Sequence, residues 1–103
     1  MAIVIVQGSF SVDPAHRDRV LKATSEGVRT ARAQEGCLEY VIAADPLDPG
    51  RVVISERWES RELLDRHLAE QRRNQPAVPS GPRPTVSERV VLVYEVADFG
   101  PLD

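Results

Sequence analysis

Two residues that could do chemistry, Trp58 and His67, lie nine positions apart in the chain. Trp58 closes an apolar segment, and His67 comes nine residues later on the apolar side of a predicted helix. An imidazole there can accept a proton or donate a hydrogen bond, and an indole can form an aromatic wall. We therefore predict His67 and Trp58 as catalytic residues. The alternative is that both are ordinary core residues with satisfied polar atoms.

Four side chains in the apolar strands are predicted ligand contacts. Gln7 interrupts an apolar strand, and Glu56 lies on the same strand face as Trp58. Tyr40 and Tyr94 offer phenolic hydroxyls. Buried amide and carboxyl groups need hydrogen-bond partners, which a ligand can supply. The structural alternatives are an ion pair with an arginine for Glu56 and simple packing for the two tyrosines.

The sequence has no strong catalytic motif. It lacks a P-loop, a Gly-rich dinucleotide fingerprint, a GxSxG elbow and an HExxH helix. Its single cysteine, Cys37, can form neither an internal disulfide nor a thiolate metal cluster. The motifs thus predict no metal site and no bound cofactor.

Composition is that of one ordinary globular domain. The 103 residues are 42% hydrophobic and 28% charged, and we expect residues 1–103 to form a single domain with its core in 2–97. The net charge of −3 is spread without runs and without a basic tail, which argues against nucleic acid. Apolar runs are strand-sized and no secretion signal is evident, so we expect no membrane association and a cytoplasmic location.

Periodicity predicts the order β-α-β-β-α-β, the ferredoxin-like α+β arrangement with a four-stranded antiparallel sheet. Residues 72–85, which open with Arg72 and Arg73 and contain four prolines, are expected to form an irregular loop. The predicted strands are Ile3–Val12, Cys37–Ala44, Arg51–Trp58 and Val86–Val96, and the helices are Ala15–Gln34 and Arg61–Gln71.

The first and last strands are apolar on both faces. Because both helices of this fold lie on one face, the other face needs a separate cover. A second copy of the same sheet is the simplest cover, so we predict a homodimer.

Several short motifs together resemble the antibiotic biosynthesis monooxygenase family. They are Gly36-Cys37-Leu38-Glu39-Tyr40, Asp45-Pro46, Glu56-Arg57-Trp58-Glu59-Ser60 and Leu64-Asp65-Arg66-His67. The resemblance implies a dimeric α/β barrel and a cofactor-independent monooxygenase that uses O₂ on a phenolic or quinol-type aromatic. It places His67 as a hydrogen-bonding or proton-accepting group and Trp58 as an aromatic wall.

Two alternatives remain on the same scaffold. The helix end reads Leu68-Ala69-Glu70-Gln71-Arg72-Arg73 instead of the second histidine and aromatic found in many members. A non-catalytic dimeric module that binds small molecules or serves a stress response fits this departure. Haem binding or breakdown is the other alternative, with Gln7 near the position where haem-degrading relatives have an asparagine.

Overall fold

The computed structural model describes residues 2–74 and 85–103, and its elements follow the predicted order. They are β1 (Ile3–Ser11), α1 (Arg17–Arg32), β2 (Cys37–Ala44), β3 (Arg51–Trp58), α2 (Arg61–Arg73) and β4 (Ser87–Val96). All neighbouring strands are antiparallel in the order β2-β3-β1-β4. The ferredoxin-like α+β prediction is confirmed. Neither α1 nor α2, the two described helices, has the length and apolar character needed to cross a membrane.

The helix starts follow local capping chemistry. The Asp13 carboxylate accepts from the Ala15 N–H, and Pro14 opens a single 3₁₀ turn before α1. This turn explains why α1 begins two residues later than predicted. The Ser60 hydroxyl accepts from the Leu63 N–H and caps α2 as expected. The caps thereby fix the residue at which each helix begins.

The end of α2 differs from the prediction. Arg72 and Arg73 were expected to open the irregular loop, but both belong to the last turn of α2, and Asn74 is its C-cap. Arginine is a good helix former, and its positive charge is favourable near a helix C-terminus. The prediction of a loop beginning at residue 72 is therefore wrong. Residues 75–84, the rest of that predicted loop, lie outside the described residues.

One face of the sheet is covered by both helices. Trp58 and Leu64 are fully buried there, and each such side chain contributes about 1.5–3 kcal/mol by leaving water. The buried core cluster draws on three strands and both helices: Val4, Val6, Ala31, Tyr40, Trp58 and Leu64. The covered face is consequently where buried functional groups can be positioned.

The opposite face carries exposed apolar residues, mainly from the edge strand β4. Tyr94 pairs with Ile5 and Leu92 pairs with Gln7, so these four side chains share one face. Leu92 is 50% exposed and Tyr94 is 45% exposed. No described segment covers them. The predicted apolar character of both faces is confirmed.

Candidate functional site

A cavity of about 510 Å³ lies between α1, α2 and the sheet, within the usual size range for small-molecule sites. Its floor is formed by Tyr40 and Ile42 of β2. The two helices supply the walls, and Asn74 lies at the end of α2. The described wall residues are Ala23, Thr24, Glu26, Gly27, Thr30, Ala31, Gln34, His67, Glu70 and Gln71.

The α1 wall is made of small side chains. Ala23, Gly27 and Thr30 follow the helix at intervals that place them on one face. A Cβ atom at Gly27 would meet nothing within 4 Å, so no neighbouring atom requires glycine there. A mid-helix glycine costs about 1 kcal/mol relative to alanine. These small side chains leave space beside α1 for a flat ring.

His67 on α2 is the polar centre of the cavity. It is 6% exposed, and its Nδ1 lies 2.5 Å from the Gln34 Oε1. Its Nε2 has no hydrogen-bond partner among the described residues. Burial lowers the pKa of His67, and the nearby Glu70 offsets part of that effect. The imidazole is therefore neutral near pH 7, as a proton acceptor must be.

Gln34 and Glu70 were not predicted as site residues. Gln34 lies just after α1, and its Nε2 donates to the Glu70 Oε2 at 2.8 Å. Glu70 could have been found, because it comes three residues after His67 on the same helix. Gln34 gave no such signal, since its contact with His67 spans 33 positions of the sequence.

Trp58 and Glu56 lie behind the cavity rather than along its surface. The Trp58 ring is fully buried, with its centroid 4.7 Å from that of His67. Its Nε1 donates to the Glu56 Oε1 at 3.0 Å, which satisfies both groups inside the core. Burial raises the pKa of the Glu56 carboxyl. The Glu56–Trp58 pair packs behind His67, so Trp58 does not line the cavity as predicted.

Tyr40 contributes its phenol to the floor of the cavity. Its ring meets His67 edge-on, with centroids 5.5 Å apart. Burial, followed by the charge of Glu56, raises the pKa of Tyr40 to about 12, although the Gln71 side chain opposes this rise. The Tyr40 hydroxyl therefore keeps its proton near pH 7 and can donate a hydrogen bond.

The predicted site residues do not all meet. Trp58, His67, Tyr40 and Glu56 cluster on the covered face, but Gln7 and Tyr94 lie on the opposite face, away from the cavity. Gln7 is exposed there and pairs with Ser55 and Leu92. The alternation of side chains along β1 separates Gln7 from the neighbouring Val6, which is in the core.

The charge of the cavity favours a neutral ligand. Its described lining includes the carboxylates of Glu26 and Glu70 but no lysine or arginine. The described lining itself offers no lysine or arginine to pair with the two propionates of haem, and the exposed Glu26 is already paired with Arg29 at 2.7 Å. Among residues 2–74 and 85–103, moreover, no three His, Cys, Asp or Glu side chains are grouped so as to hold a metal.

Several solved structures that resemble this chain bear the name of one family. A candidate antibiotic biosynthesis monooxygenase from Deinococcus radiodurans has a TM-score of 0.70, with 17% identity over 97% of this chain and 98% of its own. A candidate from Chloroflexus aurantiacus has a TM-score of 0.66, with 24% identity over 98% and 97% of the two chains.

An antibiotic biosynthesis monooxygenase structure reaches 29% identity, covering 98% of this chain and all of its own, with a TM-score of 0.64. No functionally curated protein matches the sequence. The family model named Antibiotic biosynthesis monooxygenase matches residues 3–73, which hold α1, α2 and every described cavity residue except Asn74. The chain therefore belongs to the antibiotic biosynthesis monooxygenase family.

Proposed function

We propose that this protein is a cofactor-independent monooxygenase that uses O₂ to oxidise a neutral phenolic or quinol-type aromatic in the cavity. The observation that carries the proposal is the neutral His67, whose Nε2 is without a described partner in a 510 Å³ cavity. A ring hydroxyl is the group that such a nitrogen can bind and deprotonate.

The chain supplies the groups that this reaction needs. The His67 Nε2 takes the hydroxyl proton, and the Tyr40 hydroxyl donates to the oxygen that becomes negative. The aromatic anion then passes an electron to O₂, and a ring carbon para to the hydroxyl bonds to oxygen. One oxygen atom remains as a carbonyl and the other leaves as water. A phenol becomes a quinone, and the ring provides all the electrons that O₂ gains.

The cavity walls support a flat and uncharged substrate. Gly27 and its small neighbours leave room for a ring against the backbone of α1. Glu70 disfavours carboxylate, sulfate or phosphate substituents close to it, because like charges repel. We therefore expect bicyclic or tricyclic phenols without acidic substituents to be better substrates than their acidic analogues.

The proposal includes a homodimer formed through the uncovered face. Val90, Leu92 and Tyr94 are each about half exposed on that face of the edge strand. Exposed apolar groups of this kind gain free energy when another surface covers them. A second copy offers the same apolar surface, and the two sheets would then enclose these side chains between them.

Oxygen uptake tests the enzymatic part. Purified protein in EDTA is mixed with 1-naphthol, and O₂ loss and quinone formation are recorded against a protein-free control. We expect turnover by the wild type and a fall of at least about 100-fold in His67→Gln, which retains polarity but has no basic nitrogen. Circular dichroism verifies that the variant is folded.

A pair of variants at Gly27 tests the location of the reaction. Gly27→Leu fills the space beside α1 and should abolish turnover, whereas Gly27→Ala should retain turnover and stabilise the helix by about 1 kcal/mol. Equal activity in both variants would place the reaction elsewhere. Binding of 1-naphthol without O₂ loss would support the alternative of a non-catalytic binding module, and a Soret band on haem titration would support the haem alternative.

A further inference from the structure

We infer that Gln34 is a positioning residue: oriented by Glu70, it holds His67 in the tautomer that has its proton on Nδ1 and its lone pair on Nε2. This inference deepens the proposed function, because it explains why the free nitrogen of His67 accepts a proton instead of donating one.

The argument begins at Glu70. A carboxylate oxygen accepts hydrogen bonds, so the Gln34 amide turns its NH₂ group toward the Glu70 Oε2, with an N–O distance of 2.8 Å. The Gln34 Oε1 is thereby directed to the other side, where it meets the His67 Nδ1. The carboxylate therefore decides which end of the amide the imidazole contacts.

An amide oxygen can only accept, so the His67 nitrogen facing it must be the donor. In a neutral imidazole one nitrogen has the proton and the other has a lone pair. With Nδ1 donating to Gln34, Nε2 becomes the acceptor. The bond also joins the end of α1 to α2 and limits rotation of the ring against Trp58, whose centroid is 4.7 Å away.

The imidazole is nearly shielded from competing water, since His67 is 6% exposed, whereas Gln34 and Glu70 are half-buried. Hydrogen bonds in such surroundings are stronger than in water, and leaving one unmade is costly. A reversed Gln34 amide would direct its oxygen at the Glu70 carboxylate and its NH₂ at His67. That arrangement would select the opposite tautomer and remove the acceptor from Nε2.

Nitrogen-15 NMR of the folded protein reads the tautomer without substrate. The chain has two histidines, so a His16→Gln variant assigns the His67 signals. At about pH 7.5, above the ordinary histidine pKa, we expect a protonated-type Nδ1 shift and an unprotonated-type Nε2 shift. A protonated Nε2 in the wild type would overturn the inference.

Matched variants separate positioning from structural support. Glu70→Gln can still present an oxygen to the Gln34 amide, so it should keep the wild-type tautomer. Glu70→Leu and Gln34→Leu should each give a mixture, seen as averaged shifts of the two nitrogens. An unchanged tautomer in both leucine variants would contradict the inference. These spectra need no turnover, so failure of the proposed oxygenase activity would be recognised separately by the oxygen electrode.

Discussion

The two tyrosines on opposite faces of the sheet show how differently those faces are used. Tyr40 is 5% exposed on the covered face, where its ring meets His67 and burial raises its pKa to about 12. Tyr94 is 45% exposed on the uncovered face among other apolar side chains. The same residue type is thus part of a buried polar cluster on one face and of an open surface on the other. The comparison suggests chemistry on the covered face and assembly on the uncovered one.

The largest expected effect is the loss of stability when the buried Trp58 ring behind His67 is removed. Trp58→Ala removes a fully buried ring and leaves the Glu56 carboxyl without its donor, so we expect a loss of about 4 kcal/mol in unfolding free energy. Urea denaturation measures it. Leu47→Ala, at a side chain that is 93% exposed, is the control and should change stability by less than about 0.5 kcal/mol. A similar small change in both variants would contradict the described core.

The next effect concerns the uncovered face. Leu92→Arg should weaken the proposed dimer by about 3 kcal/mol, or roughly 100-fold in its dissociation constant, because the interface would bury an unpaired charge. Analytical ultracentrifugation over a concentration series measures the change. The exposed turn variant Leu47→Arg adds the same charge away from that face and should sediment like the wild type. Equal dimerisation by both variants would place the interface elsewhere.

The smallest effect is a pH dependence from Glu56. Because burial raises the pKa of Glu56 in the folded chain, that chain holds a proton which the unfolded chain has already lost. This contribution to stability is present at low pH and disappears as pH rises through the folded-state pKa. Glu56→Gln keeps an acceptor for the Trp58 N–H but has no charge to bury.

The stability of Glu56→Gln relative to wild type should therefore increase as the pH rises from about 4 to about 8. Urea unfolding at several pH values measures this difference. Glu35→Gln, at an exposed carboxylate, is the matched control and should not show the same rise. A constant difference between Glu56→Gln and wild type would mean that Glu56 ionises as easily in the folded chain as in the unfolded one.

The order of elements was predictable because strand and helix periodicities differ and the caps are local. Asp13 and Ser60 mark the helix starts, and Gly36, whose φ of +85° favours glycine, lies in the turn between α1 and β2. Strands β2 and β3 have the predicted bounds. α2 extends beyond the predicted Gln71 because the helix-favouring Arg72 and Arg73 precede the first proline of that segment.

The site was predictable only in part. Sequence spacing indicates on which face of a helix or strand a side chain lies, but not which side chains of other elements it contacts. The spacing of His67 from Leu64 placed it on the inner side of α2, and the shared strand parity of Glu56 and Trp58 put them together. Because side chains alternate along a strand, Gln7 and Val6 lie on opposite faces of the sheet. Gln7 was nevertheless predicted as a ligand contact because it is a polar residue within an apolar strand. The bond from Gln34 to His67 depends on how two helices pack, which no local pattern encodes.

The most direct test of the proposed site is a titration of nitrogen-15-labelled protein with 1-naphthol, observed at His67. The account predicts that the Nε2 signal moves toward its protonated-type position as it accepts the ring hydroxyl, while Nδ1 keeps its hydrogen bond to Gln34. The Gly27→Leu variant should show neither binding nor shift. Saturable binding that leaves His67 unchanged and instead shifts Leu92 and Tyr94 would contradict the account.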